Sequence, residues 1–326
     1  MVGRRNSGFE TLRVTKTIAV IGAGVSGLTS AILLAEHGYR TAIFAEEIGL
    51  HTTSAAAGAI WYPYDAGPSA SMIVWALESY RVLQDLTRDS RSGVSMIEQR
   101  VYSRAGEIEI PGWAEPLGAR RFRTRADIPA AFTSGFAIDV PLMDTTIYLD
   151  YLARRLAASG GETNAQARFE KLEDVETQFD LIINCAGIGA RTLVHDPDLE
   201  PHRGQVALVP KMEIGCAIVC DDPPLMYAIP RTHDCVFGGT NDLSDDRVVD
   251  PEASVRIVAE CSRVLEINKP DVLAERVGLR PFRRSGVRVE RTELRDGRGV
   301  IHNYGHGGAG FTLSWGCARE VLRLAA

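Results

Sequence analysis

The chain has 326 residues, 45% hydrophobic and 24% charged, with a net charge of −6 and a pI near 5.7. That length allows two domains, or one large α/β body with a second layer, and the composition is that of a globular protein. An acidic balance argues against nucleic acid or an anionic membrane as partner, because both call for a basic face.

The local basic runs at Arg120-Arg121-Phe122-Arg123 and Arg283-Arg284 read as solvated or carboxylate-paired faces. No stretch approaches the roughly 18 apolar residues of a membrane span. Residues 1–16 are basic but lack an apolar centre, so a flexible extension is expected there rather than a signal peptide. The C-terminal Arg323-Leu-Ala-Ala326 is no peroxisomal address, and a cytoplasmic location is expected. Six cysteines (Cys185, Cys216, Cys220, Cys235, Cys261 and Cys317) show no metal-ligand spacing, so no metal is expected. They read as small buried hydrophobes, with a pairing of Cys220 and Cys235 left open.

In chain order, Thr17 to Ile21 is a β-branched run suited to a strand buried on both faces. A tight glycine turn and a helix from Leu28 to His37 follow, stopped by Gly38, and Arg40 to Ala45 forms a second strand. This is a βαβ unit with a right-handed crossover. A helix is expected from Asp144 to Ser159 and a buried strand from Phe179 to Cys185. From Gly204 the texture changes to short strands at Gln205 to Val209, Met226 to Ile229 and Cys235 to Gly239, the mark of an antiparallel sheet. Pro251 to Leu265 is helical, Val287 to Glu290 and Val300 to Tyr304 are strands, and Phe311 to Leu324 is a final helix.

The predicted class is therefore α/β: a Rossmann-like dinucleotide-binding domain with an interleaved, mainly antiparallel β substrate domain. Residues 17–65, 144–200 and 295–326 are assigned to the first, and residues 66–143 and 201–294 to the second.

Four motifs carry chemistry. Gly22-Ala23-Gly24-Val25-Ser26-Gly27 follows a strand and opens a helix, as a pyrophosphate cradle requires. Glu46, with Glu47 beside it, lies 19 residues after Gly27, the position from which a carboxylate accepts from ribose hydroxyls and disfavours a 2′-phosphate. The second motif runs from His51 to Tyr64. Its hydroxyls Thr52, Thr53 and Ser54 precede small residues, which suits close approach of backbone to a ligand, although an ordinary connecting loop reads equally well.

The third motif is Gly278-Leu-Arg280-Pro-Phe-Arg283. Arg280 is either a fork for a planar carboxylate or half of an internal salt bridge. In the fourth, Asn303 to Thr312, a dense glycine turn opens the last helix and offers a second N-terminus to negative charge. An NAD-dependent dehydrogenase would share the first motif and Glu46, but gives no reason for the fourth.

Ser54-Ala-Ala-Ala-Gly58, Tyr227-Ala-Ile-Pro230, Gly278-Leu-Arg280-Pro281 and His302-Asn-Tyr-Gly-His-Gly-Gly308 resemble the D-amino-acid oxidase family, over nearly the whole chain from Thr17 to Leu324. The resemblance implies a glutathione-reductase-like FAD domain and FAD as cofactor. It implies oxidation of a D-amino acid to an imino acid, with oxygen as acceptor and hydrogen peroxide as product; the imino acid then hydrolyses to a 2-oxo acid and ammonia. D-aspartate oxidase and glycine oxidase are the rival activities within the family, and a homodimer is a family-level expectation.

Position by position, Arg280 would bind the substrate carboxylate, Tyr227 would hydrogen-bond substrate, and Gly308 would lend backbone to the amine and the flavin. Glu46 would hold the adenosine ribose, and Thr52, Thr53 and Ser54 the pyrophosphate region. Gly58, Ala59 and Ile60, with Gly307, Gly308, Gly310, Phe311 and Thr312, would frame the flavin ring. Phe169 and Gly187 would sit near adenosine.

The chain departs from the animal members in its short Ile214 to Met226 stretch, which lacks their second tyrosine, and in Ala309. No side chain is expected to act as general base, and His302 and His306 read as structural. Ile60, Trp61, Tyr62 and Tyr227 point to neutral apolar or aromatic substrates, since no second cation accompanies Tyr227 except Arg231, expected to lie past the site.

Overall fold

The computed structural model describes residues 16–63 and 70–326. Apart from Lys16, the extension expected at the N-terminus lies outside these residues, as do positions 64 and 65 of the first dinucleotide-binding segment. Within them lie two sheets.

The first has six strands in the order β14 (Arg288–Glu293), β15 (Gly299–Tyr304), β7 (Leu181–Asn184), β1 (Thr17–Ile21), β2 (Arg40–Ala45) and β6 (Glu162–Ala165). All its pairings are parallel except that of β14 with β15. β1 and β7 are buried at nearly every residue, as apolar runs covered on both faces should be. Chain order reverses at β1, which has β2 on one side and β7 on the other. The crevice beyond its C-terminal end is where such sheets bind ligands.

Helices α1 (Val25–Glu36), α3 (Thr145–Ala158) and α6 (Gly310–Ala325) pack against one another over this sheet. α1 is buried on almost all sides. α2 (Ala70–Leu86) crosses α6 at Gly316, where a Cβ would lie 2.6 Å from the Trp75 carbonyl carbon.

The second sheet has nine strands, β12 (Asp242–Leu243), β8 (Leu199–Pro210), β11 (Asp234–Gly238), β10 (Met226–Pro230), β9 (Cys216–Cys220), β3 (Val94–Ser103), β5 (Ser134–Met143) and β4 (Arg120–Arg121), with β13 (Ala274–Arg283) paired to β8. It is antiparallel except for β3 with β9. Amphipathic α5 (Pro251–Leu265) seats Ile257, Val258, Cys261 and Val264 in the core behind β10 and β11. The short helix α4 (Ala190–Leu193) follows β7.

Two expected boundaries shift. β14 belongs to the first sheet, because its hairpin with β15 adds it as an antiparallel edge, so the crossing falls before residue 288 rather than at 294. α2, assigned with residues 66–143 to the substrate part, has its buried face in the core shared by α1 and α6. All six cysteines are free thiols.

Candidate active site

A single cavity of about 890 Å³ runs between the two sheets from Glu46 to Arg280 and Tyr227. Gly22 begins it, with φ +107°, and donates its N–H to Phe44 O at 2.8 Å. A Cβ there would come within 2.9 Å of the Cys185 carbonyl carbon, so only glycine lets β1 turn beside β7. α1 has no side-chain cap from its own N-cap residue, Gly24; instead Ser54 Oγ, from the second motif, accepts from Val25 N at 3.0 Å. This helix N-terminus therefore faces the cavity with unspent amides and a positive dipole end.

The four motifs separated in sequence meet here. Gly278 lies against Ala56 and Thr53, and Arg276 Nη1 donates to Ala55 O at 2.7 Å. Phe282 bridges His306, and Gly307 N donates to Pro281 O at 2.9 Å, tying the glycine turn to β13. Gly58 packs on Ile229 of β10.

At the far end Arg280 Nη1 donates to two neutral acceptors, Thr240 O at 2.9 Å and Asn241 Oδ1 at 3.2 Å. Among the described residues no carboxylate pairs with it, which removes the internal salt bridge as its role. Tyr227 lies over the bare backbone of Gly238 and Gly239, where added Cβ atoms would meet its ring and hydroxyl. Burial raises the phenol's pKa and the Arg280 guanidinium pulls it back, so the hydroxyl keeps its proton.

At the other end Glu46 pairs with Arg168 at 3.2 Å and Glu47 with Arg247 at 3.0 Å, both at the solvent-exposed rim. Neither arginine was among the sequence candidates, nor was Gly204, because their partners are distant in the chain.

Every predicted site residue lines this cavity except two. Gly27 stands behind the wall, where a Cβ would lie 2.9 Å from the Gly22 carbonyl carbon; its role is helix–strand packing. Thr312 is buried, its hydroxyl accepting from Tyr62 N at 3.0 Å and donating to Tyr62 O at 2.9 Å, so it anchors the Ile60 to Tyr62 wall.

His306, which lines the cavity, and the neighbouring His302 are both held by hydrogen bonds to side chains. Ser30 Oγ donates to Ser26 O, Asn303 Nδ2 donates to Ser30 Oγ, and Asn303 Oδ1 is left to accept from His306 Nε2 at 3.1 Å. Burial lowers the His306 pKa to about 4. His302 lies between Asn184 and Thr292, off the cavity, and is lowered to about 4, first by burial and then by Arg288. Arg231 is locked in a two-bond fork with Asp234 at 2.7 Å and does not line the cavity.

Residues 17–324 match the family described as FAD dependent oxidoreductase. The chain belongs to that family. Its cofactor is FAD, and the cavity fits one: a glycine turn no Cβ could enter, a helix N-terminus whose own N-cap residue is a glycine, and a rim carboxylate are what a dinucleotide requires.

Among curated relatives, this family member is 40% identical over 315 residues to the D-amino-acid oxidase of Streptomyces coelicolor, covering 94% of this chain and 96% of that one. It is 36% identical over 317 residues to the D-amino-acid oxidase of Rubrobacter xylanophilus, covering 96% and 97%. Glycine oxidase from Geobacillus kaustophilus shares the fold, with a TM-score of 0.79 at 17% identity and 95% of each chain covered. No helix of the described residues is long and apolar enough to cross a membrane, and no group of His, Cys, Asp or Glu among them is arranged to hold a metal.

Proposed function

We propose that this protein oxidises D-amino acids to 2-oxo acids, ammonia and hydrogen peroxide, with oxygen as acceptor. The observation that carries the reading is Arg280: a guanidinium on the wall of a cavity for FAD, without a carboxylate partner among the described residues and beside a protonated phenol. Arginine's planar fork matches an α-carboxylate through two parallel bonds. Tyr227 would donate a further hydrogen bond to the substrate, and the Gly308 backbone would receive the amine.

Bound FAD supplies a two-electron acceptor for hydride from the substrate Cα. The protein's part is to orient the substrate and exclude water. No side-chain base is required when the amine arrives neutral, and His306 is already committed through Nε2 to Asn303. Toward FAD, Gly22 to Ser26 would cradle the pyrophosphate with Thr52, Thr53 and Ser54, Glu46 would hold the ribose, and Gly58 to Ile60 with Gly307 to Phe311 would frame the ring.

Ile60, Val219, Leu225 and Ile229 give the substrate end apolar walls. A D-aspartate oxidase would need a second cation there, and Arg231 is committed to Asp234 away from the cavity.

The test is a purified holoprotein with flavin absorbance near about 450 nm, screened for peroxide with D- and L-amino acids. Turnover of neutral D-amino acids is expected, with Arg280→Ala lowering kcat/KM by at least about 100-fold, as loss of charge-assisted bonds implies. Full activity in that variant would sink the assignment.

A further inference from the structure

We propose that Arg231, although it does not line the cavity, is a positioning residue for FAD: through Thr145 it fixes the Thr53–Ala56 turn that carries Ser54. This rests on the reading above that Thr52, Thr53 and Ser54 hold the pyrophosphate. Arg231 follows β10, and its N–H donates to Asp234 O at 2.8 Å, closing the hairpin into β11. Its side chain is wholly buried, and Nε and Nη2 fork onto the two carboxylate oxygens of Asp234, each at 2.7 Å. The third nitrogen, Nη1, donates to the hydroxyl of Thr145 at 2.8 Å. Thr145 is the first residue of α3, and its hydroxyl donates in turn to Ala55 O at 3.3 Å.

A buried ion pair adds little net stability, because desolvation offsets its attraction, so closing a hairpin does not account for this fork. What the fork secures is the direction of Nη1, since the guanidinium is planar and its other two nitrogens are held. The same hairpin reaches α3 a second time, where Thr232 N donates to Asp144 Oδ2 at 3.3 Å. Ala55 is buried, and its carbonyl takes a further bond from Arg276 of β13 at 2.7 Å. A hairpin and a strand of the second sheet thus converge on the carbonyl next to Ser54, whose Oγ accepts from Val25 N at the head of α1. A cradle held in place before its ligand arrives binds more tightly, because less ordering is left to the binding step.

The experiment measures the FAD dissociation constant by serial dilution of the holoprotein, read by flavin fluorescence. Thr145→Val keeps the side chain's shape and removes the hydroxyl; it should raise the constant about 5-fold, the worth of one buried hydrogen bond. Thr145→Ser keeps the hydroxyl and should retain FAD like the wild type. Arg231→Lys keeps the charge beside Asp234 but lacks the planar fork that reaches Asp234 and Thr145 together, and it should match Thr145→Val. Ser54→Ala should also weaken retention, and adding Thr145→Val to it should change little more, because both act through one turn. The proposal is overturned if Thr145→Val and Arg231→Lys lower the thermal midpoint yet leave the FAD dissociation constant unchanged. It is equally overturned if the effects of Thr145→Val and Ser54→Ala multiply in full. An unchanged constant in Ser54→Ala instead overturns the placement of this turn on the pyrophosphate, and the proposal with it.

Discussion

Gly204 and Arg280 occupy one volume: a Cβ built on Gly204 would lie 2.5 Å from Cζ of Arg280. In the β8–β13 ladder Gly204 pairs with Gly278 and Arg280 with His202, so the guanidinium folds diagonally back over the bare backbone of its neighbour strand. The position of the proposed carboxylate fork is thus set by the absence of a side chain on another strand.

Gly204→Ala should therefore act on the substrate and not on the fold. The atoms it displaces are the flexible end of a long side chain, so the thermal midpoint should move by no more than a few degrees. Misplacing a binding group by about 1 Å costs on the order of 10- to 100-fold, and kcat/KM for neutral D-amino acids should fall in that range, chiefly through KM. An unchanged KM would show that Arg280 does not hold substrate.

Gly22→Ala should act on cofactor and fold together. The obstruction is backbone, at the Cys185 carbonyl, and the φ of +107° excludes an L side chain. Strain of this kind costs about 1–3 kcal/mol, and the turn would have to move out of the pyrophosphate's path. The flavin-to-protein absorbance ratio of the purified variant should fall well below that of the wild type; full loading refutes the placement.

Thr312→Val removes a hydroxyl that bonds both the N–H and the carbonyl of Tyr62. Leaving these groups unpaired costs about 1–3 kcal/mol. Urea denaturation should show a lower midpoint with an unchanged slope, and no change in midpoint would mean water replaces the hydroxyl.

His302 and His306 give the protein an acid limit. Each has a folded pKa of about 4 against an ordinary 6.5, so the unfolded chain binds more protons between those values. Their contribution to stability is complete above pH 6.5, declines as pH falls, and is lost below about 4. The thermal midpoint should drop across this window, above the range where the lowered carboxylates Asp196 and Asp222 titrate. His306→Gln should flatten the drop; an equal slope in the variant would place the cause elsewhere.

What the chain announced locally proved reliable where cause and effect are neighbours in sequence. The first βαβ unit, the glycine turn and the position of Glu46 depend on residues within one supersecondary unit, and each lies where expected. The likeness of four short motifs to an oxidase family was legible for the same reason: each motif is contiguous.

β13 was not legible. It contains Gly278 and Pro281, poor strand formers, and is a strand because it pairs along its length with β8. α2, β3 and β5 were likewise missed, since their burial patterns are set by two layers rather than one face. Only the tertiary structure decided that Ser54 caps α1, that Gly204 makes room for Arg280 and that Thr312 supports the wall instead of forming it. In each case the partner lies far along the chain, and local propensity carries no information about what a distant strand leaves empty.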